Sequence, residues 1–405
     1  MKCGLLGRKL GHSYSPAIHA QLGDYEYALY EKEPEELPDF LQRGDFTGLN
    51  VTIPYKKAVV PYCTELSETA QLLGSVNTLL RRPDGTLYGH NTDYDGFLSL
   101  VRQSGVEAAG KKALVLGSGG ASVTAQAVLR TLGAQVVVIS RSGEDNYENL
   151  SRHADAAIVV NTTPAGMYPH NGESPVDLTA FPACRAVYDI VYNPERTALM
   201  LQAEALGIPA FGGLHMLVAQ AKRASEIWQQ KTIPHSETTG IESLLRAGMQ
   251  NIVLIGMPGC GKSTVAAALG AALGRQVCDS DALIEELAGM TIPEIFAAQG
   301  EDAFRRLETE AIAALSKRSG IVLATGGGCV TRAENYPLLH QNSTIFWLQR
   351  DLTQLPTEGR PLSQAGRLEA MYALRRPLYE RFADHIIDNN GTLDDTITAI
   401  KEASV

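Results

Sequence analysis

The sequence has no C-x-x-C pair and no zinc-site spacing. Its six cysteines, Cys3, Cys63, Cys184, Cys260, Cys278 and Cys329, lie scattered along 405 residues. That excludes a disulfide-stapled scaffold and fits free thiols in a reducing cytoplasm. No apolar run approaches the ~18 residues of a membrane span, and no basic stretch followed by a long apolar one opens the chain, so neither an anchor nor a secretory signal is expected. Basic charge is in deficit: 35 lysines and arginines face 45 acidic residues, for a formal charge of −10. Non-specific nucleic-acid binding needs a basic surface to displace counterions and is excluded on that ground, whereas small anionic ligands depend on local arginines and remain open. Low-complexity tracts and solenoid-length repeats are missing too. A hydrophobic fraction of 44% fills cores. The length exceeds what one core supports, so two or three domains are expected.

Residues 256–264, Gly-Met-Pro-Gly-Cys-Gly-Lys-Ser-Thr, satisfy G-x-x-x-x-G-K-[ST]. The context agrees: the apolar run 251–255 reads as a strand entering the loop, and the Ala/Leu-rich run 263–273 as the helix leaving it. Gly259 and Gly261 let backbone N–H groups curl around phosphate oxygens, and the helix N-terminus, with Thr264 in its first turn, adds positive partial charge. Lys262 reaches the outer phosphates and Ser263 can bind Mg²⁺, so ATP and Mg²⁺ are the expected ligands.

The preceding 250 or so residues form an α/β array. Strand and helix patterns alternate to about Tyr88, and 93–103 is helical. The strongly apolar strand 112–116 runs into Gly117-Ser118-Gly119-Gly120-Ala121-Ser122, and further strands at 135–139, 156–161 and 186–190 read as a doubly wound parallel sheet. The polar stretch 232–239, with Pro234, ends a long helical pattern and begins a linker. The expected division is a first α/β domain over 1–98 with returning helices at about 214–235, a Rossmann-type domain over 99–213, a flexible or semi-extended tether over 236–248, and a P-loop domain with a parallel sheet over 249–405.

Gly117-x-Gly119 is a weak signal alone, and its third small position is Ser122. A strand before it and a helix pattern after it strengthen the reading of Gly117, Gly119, Gly120 and Ala121 as a dinucleotide cradle. Where an NAD site places an acid on the ribose, after the second strand, this chain has Ser140-Arg141-Ser142. A guanidinium and two hydroxyls suit a 2′-phosphate and favour NADP over NAD. Glu144 and Asp145 follow closely, so an Arg141 merely paired with one of them is the alternative.

Several further motifs stand in the first half. His12-Ser13-Tyr14-Ser15-Pro16, Asn50-Val51-Thr52-Ile53-Pro54-Tyr55-Lys56, Ser75-Val76-Asn77-Thr78, Asn91-Thr92-Asp93, 161–167 (Asn-Thr-Thr-Pro-Ala-Gly-Met), 188–194 (Tyr-Asp-Ile-Val-Tyr-Asn-Pro) and 216–220 (Met-Leu-Val-Ala-Gln) together resemble shikimate dehydrogenases over about residues 1–230. The resemblance implies that Ser13 and Ser15 hold the substrate carboxylate, that Thr52, Asn77, Asp93, Tyr192 and Gln220 bind the substrate ring, that Gly213 joins the cofactor site, and that Lys56 and Asp93 form the catalytic pair. The chemistry wants such a pair, since hydride delivery to a ketone leaves an oxygen that must gain a proton. On residue pattern alone Lys56 could be a surface lysine and Asp93 a helix N-cap.

From about Met249 onward Asp279-Ser280-Asp281, 304–308 (Phe-Arg-Arg-Leu-Glu), Gly326-Gly327-Gly328, Arg360-Pro361-Leu362 and 375–379 (Arg-Arg-Pro-Leu-Tyr) resemble shikimate kinase. The resemblance implies that Asp281 orients the attacking hydroxyl, that Asp279 helps Ser263 hold Mg²⁺, that Arg305 and Arg375 grip the carboxylate, that Gly327 and Gly328 approach the substrate closely, and that Arg360 comes from a lid. The lid segment before Arg360 is short for the family and contains Pro356. An exposed Glu301–Arg305 pair four residues apart is the competing account of Arg305. The two halves together imply an enzyme that reduces 3-dehydroshikimate with NADPH and phosphorylates the product, shikimate. A quinate-using dehydrogenase, or one half kept as a non-catalytic sensor, are the rival readings.

Overall fold

The computed structural model describes residues 1–11, 13–355 and 365–404. The chain divides into two compact units, one of Met1–Ala165, Ser174–Tyr192 and Gln202–Leu244, the other of Gly166–Glu173, Asn193–Leu201 and Leu245–Val405.

The first unit holds two sheets. β1 (Lys2–Gly7), β2 (Glu26–Glu31), β3 (Gly48–Val51), β4 (Glu65–Leu66), β5 (Thr78–Arg81) and β6 (Leu87–His90) are ordered β2-β1-β3-β5-β6-β4. The hairpin-like neighbours β3–β5 and β5–β6 run antiparallel and the other pairs parallel. β7 (Lys112–Leu116), β8 (Gln135–Ile139), β9 (Ile158–Asn161), β10 (Ala186–Asp189) and β11 (Ala210–Gly212) form an all-parallel sheet ordered β11-β10-β9-β7-β8. β7 is interior, and Ala113 to Leu116 are buried on both faces, which is why it reads as an unbroken apolar run. The helices Thr92–Gln103 and Leu214–Gln229 pack where a Cβ on Gly96 would stand 2.7 Å from the Met216 carbonyl oxygen. Only glycine allows that approach, and it brings Asp93 and Gln220 to one place.

The second unit is built on β12 (Asn251–Ile255), β13 (Val277–Asp279), β14 (Val322–Ala324), β15 (Ser343–Gln349) and β16 (His385–Asp388), all parallel and ordered β13-β14-β12-β15-β16. All five residues of central β12 are buried. The α/β fold class of both halves thus stands as expected. Two stretches expected within the Rossmann-type domain belong to this second unit: Tyr168 OH donates to the Ser316 carbonyl at 2.8 Å, and Arg196 donates from its backbone to Gln341 O at 2.8 Å and from Nη2 to Ser343 O at 2.9 Å.

Residues 236–248 are not a flexible tether. They lie in a helix, His235–Met249, with Ile241, Leu245 and Met249 buried at successive turns. Pro234 precedes the helix, where it does no harm. Glu242 of this helix accepts from His215 Nδ1 at 2.6 Å, and His215 Nε2 pairs with Ser99 Oγ at 2.8 Å, so a chain of hydrogen bonds ties three helices. Glu242→Ala leaves a buried imidazole N–H without its partner. It is expected to cost about 1–3 kcal/mol and to lower the first thermal transition in calorimetry, with Glu242→Gln recovering most of the loss. An unchanged transition would show that the pair does not hold the helix.

Candidate active sites

Lys56 sits in the turn after β3, its carbonyl fixed by the Val76 N–H at 2.7 Å. Its Nζ lies 2.5 Å from Asp93 Oδ2, the two side chains being 32% and 15% exposed. Asp93 is not the helix cap. Asn91 caps the helix Thr92–Gln103, accepting from the Asp93 N–H at 3.2 Å, so the Asp93 carboxylate is left to face the lysine. Asn77 holds its other oxygen: Nδ2 donates to Asp93 Oδ1 at 3.0 Å and to Gln220 Oε1 at 3.1 Å, while Asn77 Oδ1 accepts from the Thr92 N–H at 2.7 Å. That acceptor role fixes which way the amide points. Asn77 is only 3% exposed and its amide is committed on both ends, so it stands behind Asp93 and Gln220.

Lys56, Asp93, Gln220 and Tyr192 line one cleft of 820 Å³ together with Gly119, Gly120, Ala121 and Gly213. Ser13, Ser15, Thr52, Asn77, Gly117, Ser140 and Arg141 are not among its lining. Ser13 Oγ accepts from the Ser15 N–H at 3.2 Å, at the start of the helix Ser15–Leu22, and the ring of the intervening Tyr14 meets Tyr192 edge-on at 6.0 Å, so the segment borders the cleft. Thr52 N–H donates to Leu6 O at 2.9 Å. Burial raises the Tyr192 phenol above its usual range.

Gly117 has φ +105° and a Cβ there would press on Thr162 and Thr163 at 3.0 Å, so the turn after β7 requires glycine. At Gly119 and Gly120 a Cβ would meet nothing within 4 Å. Packing does not demand those glycines, and the open space lies before the free N–H groups of the helix Gly120–Thr131, a cradle suited to a diphosphate. Ser122 departs from the small-residue pattern with a reason: fully buried, its Oγ donates to Gly117 O at 2.7 Å and closes the turn. Gly213 is forced by packing, since a Cβ would collide with the Ile190 carbonyl. Arg141, after β8, is exposed and pairs with no carboxylate among the described residues; Asp145 is engaged by His153 at 2.9 Å. The pairing alternative for Arg141 is therefore not what the structure holds.

In the second unit Gly259 and Gly261 have φ +83° and +99°, the left-handed turns a phosphate loop needs. Lys262 opens the helix Lys262–Leu273, is 8% exposed, and donates to the carbonyls of Gly256 at 2.9 Å and Met257 at 3.0 Å. Ser263 Oγ donates to Asp279 Oδ2 at 2.8 Å. Asp279 ends β13 and caps the helix Ser280–Ala288 with its other oxygen. A hydroxyl and a carboxylate are hard oxygen donors of the kind Mg²⁺ takes while keeping most of its waters. These residues, with Thr264, Asp281 and Gly327, line a 350 Å³ cleft.

Burial and the neighbouring Asp279 charge raise the Asp281 carboxyl above the usual aspartate range, and its Oδ1 is shut from solvent without a partner. Arg305 is not on an exposed face. It is buried, donates to the fully buried Glu308 at 2.7 Å, and reaches Glu301 only at 3.2 Å. A Cβ on Gly328 would collide with the Arg305 guanidinium, and one on Gly326 would press on Glu308 and Asp281. Arg375 Nη1 and Tyr379 OH both donate to Gly327 O, at 3.2 and 2.5 Å. Glu308 closes the 304–308 motif, which gives it no role of its own; its spacing of three from Arg305 on one helix was the available signal. Burial pushes its carboxyl up, against the pull of Arg305. Arg360 lies outside the described residues.

Residues 5–79 match the model of the shikimate dehydrogenase substrate binding domain, and residues 258–403 match that of shikimate kinase. The NADP(+)-dependent shikimate dehydrogenase of Clostridium beijerinckii is 35% identical over 262 residues, covering 60% of this chain and 96% of that protein, and the Methanopyrus kandleri protein of the same description is 36% identical over 264 residues, covering 57% and 91%. Among solved structures, the chorismate mutase/shikimate 5-dehydrogenase fusion protein of Clostridium acetobutylicum superposes with a TM-score of 0.58 at 36% identity, covering 60% of this chain and 96% of that one. The shikimate 5-dehydrogenase of Thermus thermophilus, in complex with NADP(H) and shikimate, gives 0.55 at 32% identity, covering 60% and 98%. The chain belongs to the shikimate dehydrogenase family and carries a shikimate kinase domain at its C-terminal end. It is a bifunctional enzyme of the shikimate pathway.

Proposed function

We propose that the first unit reduces 3-dehydroshikimate to shikimate with NADPH and that the second phosphorylates the shikimate 3-hydroxyl with ATP and Mg²⁺. The observation that supports it most is the placing of the Lys56–Asp93 pair, 2.5 Å apart, in the same cleft as the Gly119–Ala121 cradle. NADPH supplies the hydride. Lys56 Nζ donates the proton that the substrate carbonyl oxygen gains, and in the reverse direction takes it back, while Asp93 keeps the ammonium aimed. Asn77 positions Asp93 and Gln220, Gln220 and Thr52 bind ring hydroxyls, and Ser13 and Ser15 receive the carboxylate. Tyr192 closes the ring's side of the cleft.

In the second unit ATP with Mg²⁺ supplies the phosphoryl group. Asp281 accepts the proton of the attacking hydroxyl, Arg305 and Arg375 hold the carboxylate of the acceptor, and Lys262 with the Gly259 and Gly261 backbone carries phosphate charge, Ser263 and Asp279 holding the metal. Arg360 is assigned to the transferring group by motif alone. Among the described residues no helix is long and apolar enough to cross a membrane and all six cysteines are free thiols, which supports placement in the cytoplasm. The test is a coupled assay in which 3-dehydroshikimate, NADPH, ATP and Mg²⁺ give shikimate 3-phosphate; accumulation of shikimate without phosphate would remove the second activity from the reading.

Arg141→Ala is expected to weaken NADPH by about tenfold or more, the scale of a charge-assisted hydrogen bond, and to leave NADH nearly unchanged. Michaelis constants for both cofactors check this, and an equal loss for both would mean that Arg141 serves the loop and not the 2′-phosphate.

A further inference from the structure

The phosphate loop has a cation beside it to which no role has been given. In the sheet order β13-β14-β12-β15-β16 the loop follows the central strand. Asp279, Asp281, Thr325 and Gly327 stand at the ends of β13 and β14, on one side of it. Arg350 and Asn389 follow β15 and β16, on the other. A Cβ on Gly261 would lie 3.4 Å from Asn389 Nδ2 and 3.7 Å from Arg350 Nη1, so both side chains touch the loop where its backbone turns.

Asn389 is fully engaged, donating to Cys260 O at 2.6 Å and accepting from Thr396 Oγ1 at 2.7 Å. Arg350 is not. It is half-buried, its Nε makes one long hydrogen bond to Gln354 Oε1 at 3.4 Å, and no carboxylate among the described residues pairs with it. A guanidinium partly withdrawn from water beside an anion-binding loop, with most of its fork unused, is shaped to receive oxyanions.

We propose that Arg350 is a further nucleotide-positioning residue, donating to the inner phosphate oxygens of the bound nucleotide from the side of the loop opposite the acceptor. The proposal rests on the reading of residues 256–264 as the ATP loop. Lys262 then answers the outer phosphates and Arg350 the inner ones, so the triphosphate is held at two points along its length and its terminal group is aligned with Asp281.

The experiment uses the full chain carrying Arg350→Ala or Arg350→Lys, with the dehydrogenase reaction and the melting curve as controls of folding. Arg350→Ala is expected to raise the Michaelis constant for ATP and the dissociation constant for ADP by about tenfold, while the constant for shikimate and the affinity for adenosine stay as they are. Arg350→Lys keeps the charge and loses the fork, so it should recover part of the effect. Unchanged ATP and ADP constants overturn the proposal, and so does an equal loss for adenosine, which would make Arg350 a base contact. Should the alanine variant melt early, Arg350→Gln keeps the volume and is read the same way. ADP titration scores Arg350 even if the unmodified chain fails to phosphorylate shikimate, a failure that would instead overturn the assignment of the second activity.

Discussion

Lys56→Ala is expected to slow 3-dehydroshikimate reduction by ~10²–10⁴-fold, the usual worth of a positioned proton donor, while phosphorylation of added shikimate continues at the wild-type rate. On the proposed roles the loss should fall on kcat, with Lys56 acting on the oxygen that changes charge during the reaction and Gln220 and the serines of the 13–15 segment assigned to binding. Lys56→Arg sharpens the test. Arginine keeps the positive charge and can still pair with Asp93, but its guanidinium does not give up a proton at neutral pH, so a charge-only role predicts recovery and a proton-transfer role does not. Full activity of Lys56→Arg would reduce the pair to an electrostatic device. Loss of both reactions in Lys56→Ala, with unchanged melting, would mean that the two clefts are not chemically independent.

What the sequence made legible follows the range of the interactions involved. The strands β7 and β12 were readable because each is a short apolar run, buried on both faces, that leads straight into a glycine with positive φ, Gly117 and Gly256, all within one local segment. Lys56 and the phosphate loop stand in motifs of the same short span. The helix His235–Met249 was hidden because its polar opening, Ser236 to Gly240, precedes the buried Ile241, Leu245 and Met249, and a helix so begun looks like a linker until its partners are seen. Glu308 was hidden because a glutamate three residues from an arginine ordinarily signals a solvated helix face; only the turn Gly326 to Gly328, folded over it from elsewhere in the chain, makes it a buried counter-charge. The engagement of Asn77 with Asp93 and Gln220, 16 and 143 residues away, is a fact of tertiary structure alone. The grouping of Tyr168 and Arg196 with the second unit is likewise carried by bonds across about 150 residues of chain.

Asp281→Asn separates stability from activity in the second unit with opposite signs. The folded protein raises the Asp281 carboxyl above its ordinary value, through burial and the nearby Asp279 charge. A raised carboxyl favours the protonated form in the folded state, so the ionised group costs stability: the cost is absent below the unfolded pKa, grows as pH rises through it, and is complete above the folded one. At neutral pH the asparagine variant no longer carries that charge, and its melting temperature should hold or rise. Phosphorylation should fall by ~10²–10⁴-fold, because an amide cannot accept the proton of the attacking hydroxyl. The pH profile gives the second readout. Mg²⁺ on Asp279 would offset that residue's charge and leave burial as the cause of the rise, so in the wild-type enzyme kcat/KM should drop on the acid side as Asp281 becomes protonated, and in Asp281→Asn that limb should flatten while the dehydrogenase profile keeps its shape. An Asp281→Asn enzyme with wild-type turnover would show that the buried carboxylate is not the base. One that is slow but also melts early would show that the carboxylate had been holding the fold, and the physical reason for keeping an unpartnered acid oxygen beside the phosphate loop would have to be sought in packing and not in proton transfer.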